Sequence, residues 1–93
     1  IISNCVFGQT GAAMGANGIR YVAGTSVSIK GSYFTTDYVD DPIPAGATST
    51  SIKPNMTSYK SASAALWTDP VNGNFKLLDT SFVGKGVAGD LRW

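Results

Sequence analysis

Hydrophobic and polar positions alternate along this chain in short runs, and two of the runs look alike. Ile2-Ser-Asn-Cys-Val-Phe7 and Ile29-Lys-Gly-Ser-Tyr-Phe34 each set an aliphatic residue, a short polar step and an aromatic residue five places on, at an offset of 27 residues. A looser copy, Leu77-Leu-Asp-Thr-Ser-Phe82, follows 48 residues after the second. Self-similarity with a period in the twenties is what stacked β-coils produce, because each coil buries its apolar face only against its neighbours. Ile2, Ile29 and Leu77 are therefore expected at successive levels of one stack.

The rest of the chain follows from local signals. Ile2 and Phe7 differ in parity, so both point inward only if the strand bends near Asn4. Asn and Gly tolerate the left-handed backbone such a corner requires, and Gly31 holds the matching place in the second run. Gly8 to Gly15 is a small-residue loop without the spacing of a phosphate cradle. Asn17-Gly18 is a turn, and Ile19-Arg20-Tyr21-Val22 alternates as a strand. Val27, Ile29, Tyr33 and Phe34 form the next strand pair. From Thr35 to Ser51, two prolines within three residues and little periodicity predict a loop. Ser61 to Leu66 suits one or two helical turns, Asp69-Pro70-Val71-Asn72-Gly73 a tight turn, and Phe75 to Leu78 a strand. The Gly-rich tail ends on Arg92-Trp93, as a terminus that folds back over an exposed edge would. The expected division is coils over 1–38, an irregular insertion over 39–68, and a last coil with a cap over 69–93.

Composition narrows the class. Ninety-three residues make one small domain with a modest core. The lone Cys5 excludes an internal disulfide and reads as an inert thiol within a strand. With no histidine, every imidazole-based triad, metal site or acid–base scheme is excluded. Seven scattered Lys and Arg residues and a net charge of +1 give no basic patch for nucleic acid. No apolar run approaches the roughly 18–20 residues that cross a bilayer. A charged content of only 14%, with abundant Ser, Thr, Asn and Gly, suits a secreted or cell-surface β protein. The chain opens Ile1-Ile2 without an initiator Met, so it is expected to be the C-terminal part of a longer protein. The Ile1–Phe7 strand then offers an apolar edge to preceding coils, another domain or a second copy of the chain.

The closing segment carries a resemblance. Asp69-Pro70-x-Asn72-Gly73-x-Phe75-x-Leu77-x-Asp79-x-Ser81-Phe82, then Gly84-Lys85-Gly86-x-Ala88-Gly89-Asp90 and Arg92-Trp93, resembles the C-terminal end of Bacteroidetes surface proteins. Those proteins are built on right-handed parallel β-helices, with an uncharacterised C-terminal domain similar in architecture to pectate lyases and chondroitinase B. Leu91 stands where members usually have Pro, a departure confined to one turn. The resemblance implies an all-β fold, the C-terminal coils of a right-handed parallel β-helix with a long irregular insertion and a C-terminal cap. It also implies an extracellular or outer-surface setting beside polysaccharide-utilisation machinery, and it assigns no catalytic residue here.

Tyr33, Tyr38, Tyr59 and Trp67 are the aromatic residues available to cover the C–H face of a sugar. Tyr38 and Trp67 come first because they lie on or beside long loops. Trp93 reads as part of the cap. Arg20 and Lys30 are the basic residues on coil strands, where a polysaccharide lyase would place its proton-abstracting base, although a solvated outward face is the plainer reading. Asp37, Asp40 and Asp41 lie close enough for a hard cation, yet Asp-x-x-Asp-Asp-Pro fits no calcium-loop pattern. Neither metal nor cofactor is expected. The leading expectation is a non-catalytic, carbohydrate-associated or structural module. The alternatives are the C-terminal part of an active polysaccharide lyase, or a protein-binding adhesive module.

Overall fold

In the computed structural model, residues 1–8, 19–22, 24, 26–40, 45–46, 48–90 and 92–93 are described. Nine short strands dominate them: β1 (Ile2–Ser3), β2 (Val6–Phe7), β3 (Arg20–Val22), β4 (Ile29–Lys30), β5 (Tyr33–Phe34), β6 (Ser49–Ser51), β7 (Thr57–Ser58), β8 (Trp67–Asp69) and β9 (Asn74–Leu77). The one α-helix among the described residues, α1 (Ser63–Leu66), is a single turn. The class is all-β. No helix among the described residues is long and apolar enough to cross a membrane.

The look-alike runs lie side by side in parallel, as their pattern asks. Ile2 pairs with Ile29 and Ser3 with Lys30 across β1 and β4. Val6 pairs with Tyr33 and Phe7 with Phe34 across β2 and β5. The intervening corner sits at Asn4 and Gly31, both left-handed, with φ of 55° and 58°. A methyl group on Gly31 would stand 2.6 Å from Asn4 Oδ1, so glycine answers both the backbone and the space. The ladder is continuous around the corner. The Asn4 N–H donates to the Lys30 carbonyl at 3.0 Å, and the Tyr33 N–H donates to the Cys5 carbonyl at 2.9 Å.

The third level departs from expectation. Tyr33 pairs in parallel with Thr57 and Phe34 with Ser58, which makes β7 the next strand of this sheet. Leu77 instead pairs antiparallel with Trp67 across β8 and β9. The look-alike at Leu77–Phe82 is thus a hairpin strand followed by turns, and it does not extend the stack. A Pro70–Asn72 turn closing on left-handed Gly73 (φ 82°) brings β8 and β9 together locally, ahead of any long-range pairing. The stretch 39–68, expected to be irregular, supplies β6, β7 and α1, and with α1 the buried Ser63. β6 pairs antiparallel with β3.

The core lies between the hairpin and the parallel strands. Tyr59, Leu66, Trp67, Leu77 and Phe82 are buried together, with Val6, Tyr33 and Trp93 packed against them. A second aromatic group sets the Tyr38 ring 5.9 Å from Phe7 and 6.2 Å from Phe34. The tail folds back as expected: the Gly89 N–H donates to the Asn4 carbonyl at 2.8 Å, and Trp93 meets Phe82 edge-on at 6.4 Å.

Candidate functional site

Burial decides which expected aromatic residues are available. Tyr38 is 4% exposed, its hydroxyl accepts a hydrogen bond from the Ile19 N–H at 3.2 Å, and the Lys53 ammonium lies 5.9 Å from its ring centroid. Burial pushes its phenol above the ordinary value; the Ile19 bond opposes this and the Asp40 charge adds to it. Trp67 is 5% exposed and meets Phe75 edge-to-face at 5.4 Å. Both were expected to stack on sugars, and both are core residues. Flanking a loop placed neither ring at the surface, because each has neighbours that desolvate it.

Arg20 and Lys30 sit on β3 and β4, exposed and in separate sheets. Asp37 turns inward. Its Oδ1 accepts hydrogen bonds from the Thr35 hydroxyl (2.5 Å), the Ser63 N–H (3.0 Å) and the Ser63 hydroxyl (2.8 Å), which ties the β5 exit to the start of α1. Asp40 accepts from the Ser51 hydroxyl at 2.7 Å. Asp41 lies outside the described residues. Among the described residues no group of three or more His, Cys, Asp or Glu side chains gathers as a metal site would. Sequence spacing groups Asp37 with Asp40 and Asp41, but its Oδ1 serves the fold instead.

The remaining two aromatic candidates do meet. Tyr33 and Tyr59 line a groove of about 210 Å³ together with Ser58, Lys60, Asp79, Ser81, Phe82 and Val83. Parallel pairing brings Tyr33 beside β7, and Tyr59 follows β7 directly. Phe82 arrives from the turns after β9 and presents edges to Tyr33 at 5.0 Å and Tyr59 at 5.5 Å. Tyr59 is 5% exposed, so only its margin faces the groove, whereas Tyr33 is half-buried and keeps an accessible side.

One polar corner closes this apolar floor. The Tyr59 hydroxyl donates to Asp79 Oδ2 at 2.6 Å, and the Ser81 hydroxyl and N–H donate to Oδ1 at 2.6 and 3.1 Å. The Lys60 ammonium stands 3.8 Å from Oδ2 and is mostly solvated. These bonds, with Ser81 first and Tyr59 second, hold the Asp79 carboxyl down at about 2. Burial first, then the Asp79 carboxylate, pushes the Tyr59 phenol up to about 12. Near neutral pH the carboxylate is thus always charged and the phenol always protonated. A proton-transfer pair works best when its pKa values lie near the operating pH, and this pair is displaced in both directions. The corner can orient a ligand by hydrogen bonding, but it is not tuned to move a proton.

Lys60 carries no signal in the sequence. Asp79, Ser81 and Phe82 stand in the closing motif as structural positions, and Asp79-x-Ser81 is a spacing that lets a carboxylate bond the N–H two residues on.

Comparison with known proteins gives one family: its model, described as Domain of unknown function (DUF5123), matches residues 1–93. No curated protein and no solved structure matches the chain.

Proposed function

We propose, from the premise that the chain belongs to the DUF5123 family, that it is a non-catalytic carbohydrate-contacting segment of a secreted or outer-surface protein. The supporting observation is the Tyr33–Tyr59–Phe82 groove with its Asp79–Ser81–Lys60 corner. A sugar ring offers an apolar C–H face to an accessible aromatic side and hydroxyls to fixed polar groups, and this groove supplies both. At about 210 Å³ it falls below the ~300–1,000 Å³ of sites for drug-sized ligands, so it takes one ring or a chain end.

The architecture proposed to carry the groove is the end of a right-handed parallel β-helix. Support comes from in-register parallel pairing at Ile2–Ile29, Val6–Tyr33 and Tyr33–Thr57, and from left-handed corners at Asn4 and Gly31. The returning tail, bonded to Asn4 and packed through Trp93, acts as its cap. The free side of β1 and β2 takes a preceding coil, another domain or a second copy. Ile1 is fully exposed beside it.

Glycan arrays followed by isothermal titration test the reading. Binding of a plant or host polysaccharide that Tyr33→Ala abolishes is the expected result, and silence across both sets overturns it. Arg20 and Lys30, the candidate bases of the lyase alternative, lie exposed on strands of separate sheets.

A further inference from the structure

A second groove lies between β9 and the returning tail, and its chemistry differs. A cavity of about 510 Å³ runs between Phe75 and Trp93, rimmed by Lys76, Asp90 and Arg92. A neighbouring cavity of about 330 Å³ shares Phe75 and Trp93 and reaches Val6, Phe7 and Gly8. The two aromatic walls are fixed before any ligand arrives. Phe75 is 41% exposed, yet it meets Trp67 edge-to-face at 5.4 Å with the planes at 87°. Trp93 lies over Gly89, where a methyl group would come within 2.5 Å of the indole. An exposed aromatic ring held in place loses little conformational entropy on binding.

The rim is cationic. Lys76 has no ion-pair or ring partner among the described residues. Arg92 grips Asp90 in a fork, Nε to Oδ1 at 2.9 Å and Nη2 to Oδ2 at 2.6 Å, which leaves Nη1 without a partner among the described residues. With the Asp90 side chain matched by Arg92, Lys76 is the side-chain charge of the rim that no other described side chain pairs, and two kinds of N–H donor face solvent at the mouth. A carboxylate is the complementary group. The Asp90–Arg92 pair must remain hydrated or hydrogen-bonded at that rim, and a bare aryl ring would desolvate it without return. A ring that carries hydroxyls avoids this cost.

We infer that the Phe75–Trp93 groove binds a carboxylate-bearing sugar, with the ring against the aromatic walls and the carboxylate on Lys76 and Arg92. This does not depend on ligand binding at the Tyr33 groove, which shares no lining residue with it.

The test is an NMR titration of the chain with galacturonate, galactose and benzoate in parallel. Galacturonate is expected to shift the Trp93 indole and the Phe75 and Lys76 amides, and to weaken as salt rises. Lys76→Ala and Arg92→Ala, both at exposed side chains, are each expected to weaken it about five- to tenfold, as for the loss of one charge-assisted bond. The inference is overturned if galacturonate gives no shift at these residues, if galactose or benzoate binds as well, or if neither substitution changes the affinity. Shifts confined to Tyr33 and Tyr59 would support the other groove and overturn this one.

Discussion

Removing the Asp37 carboxylate should cost this fold more than a surface acid normally would. Asp37 Oδ1 is the meeting point for the Thr35 hydroxyl, the Ser63 N–H and the Ser63 hydroxyl. Thr35 and Ser63 are 0% and 1% exposed, so water does not readily replace the lost acceptor. In Asp37→Ala the two hydroxyls keep each other at 3.2 Å, and Thr35 keeps the Phe7 carbonyl at 3.4 Å, but the Ser63 N–H loses this acceptor. Bonds to a charged group are worth about 1.5–3 kcal/mol, and a buried group stripped of its partner costs about 1–3 kcal/mol. Because Asp37 itself is only half-buried, we count one such effect and not the sum of both, and expect a loss of about 2–3 kcal/mol. A domain of this size has roughly 5–14 kcal/mol in all. Each kcal/mol moves Tm by about 4–8 °C, so the expected fall is about 8–24 °C.

The same carboxylate sets a pH dependence. Burial acts to raise the Asp37 pKa, and the bonds from Thr35 and Ser63 outweigh it, so the folded value lies below the ordinary one. A depressed carboxyl contributes fully above its unfolded pKa of about 3.9, and that contribution fades as pH falls through the folded value. Circular-dichroism melts of wild type and Asp37→Asn should therefore differ most near neutrality and converge in acid. A Tm for Asp37→Ala within about 2 °C of wild type, or a difference that grows in acid, would refute the argument.

Three further outcomes are expected. Gly31→Ala meets both a left-handed φ of 58° and the Asn4 side chain, and should cost at least about 1–2 kcal/mol in denaturant melts; pairing it with Asn4→Gly should recover the steric part alone. Tyr59→Phe removes the 2.6 Å donor to Asp79, so the Asp79 carboxyl, held at about 2, should titrate higher by carbon-detected NMR, and an unmoved value would mean that Ser81 alone sets it. Gly89→Ala places a methyl 2.5 Å from the Trp93 indole and should dislodge the tail, seen as a shift in tryptophan fluorescence, while an unchanged spectrum would deny that Gly89 seats the ring.

Features fixed by neighbours in sequence were legible beforehand. The bend at Asn4, its counterpart at Gly31, the single helical turn before Trp67 and the turn at Pro70–Gly73 are all local choices of backbone. The 27-residue offset between the first two runs was legible too, because both carry the same aliphatic–aromatic step and pair in that register. Thr57–Ser58 gave no such signal. Two exposed polar residues match no template, and they join the sheet because the Tyr33 strand offers its free edge. Leu77–Phe82 matched the template and lies elsewhere, since a partner ten residues away at Trp67 is reached at less entropic cost than one across the chain.

By itself, then, the sequence determined the class, the corners and the register of the first two levels, because each rests on one residue's allowed conformations or on a repeated pattern. Only the tertiary structure decided which aromatic rings face water. Tyr33, Tyr38, Tyr59 and Trp67 present the same chemistry in one dimension, and packing alone buries three of them and leaves Tyr33 a free side.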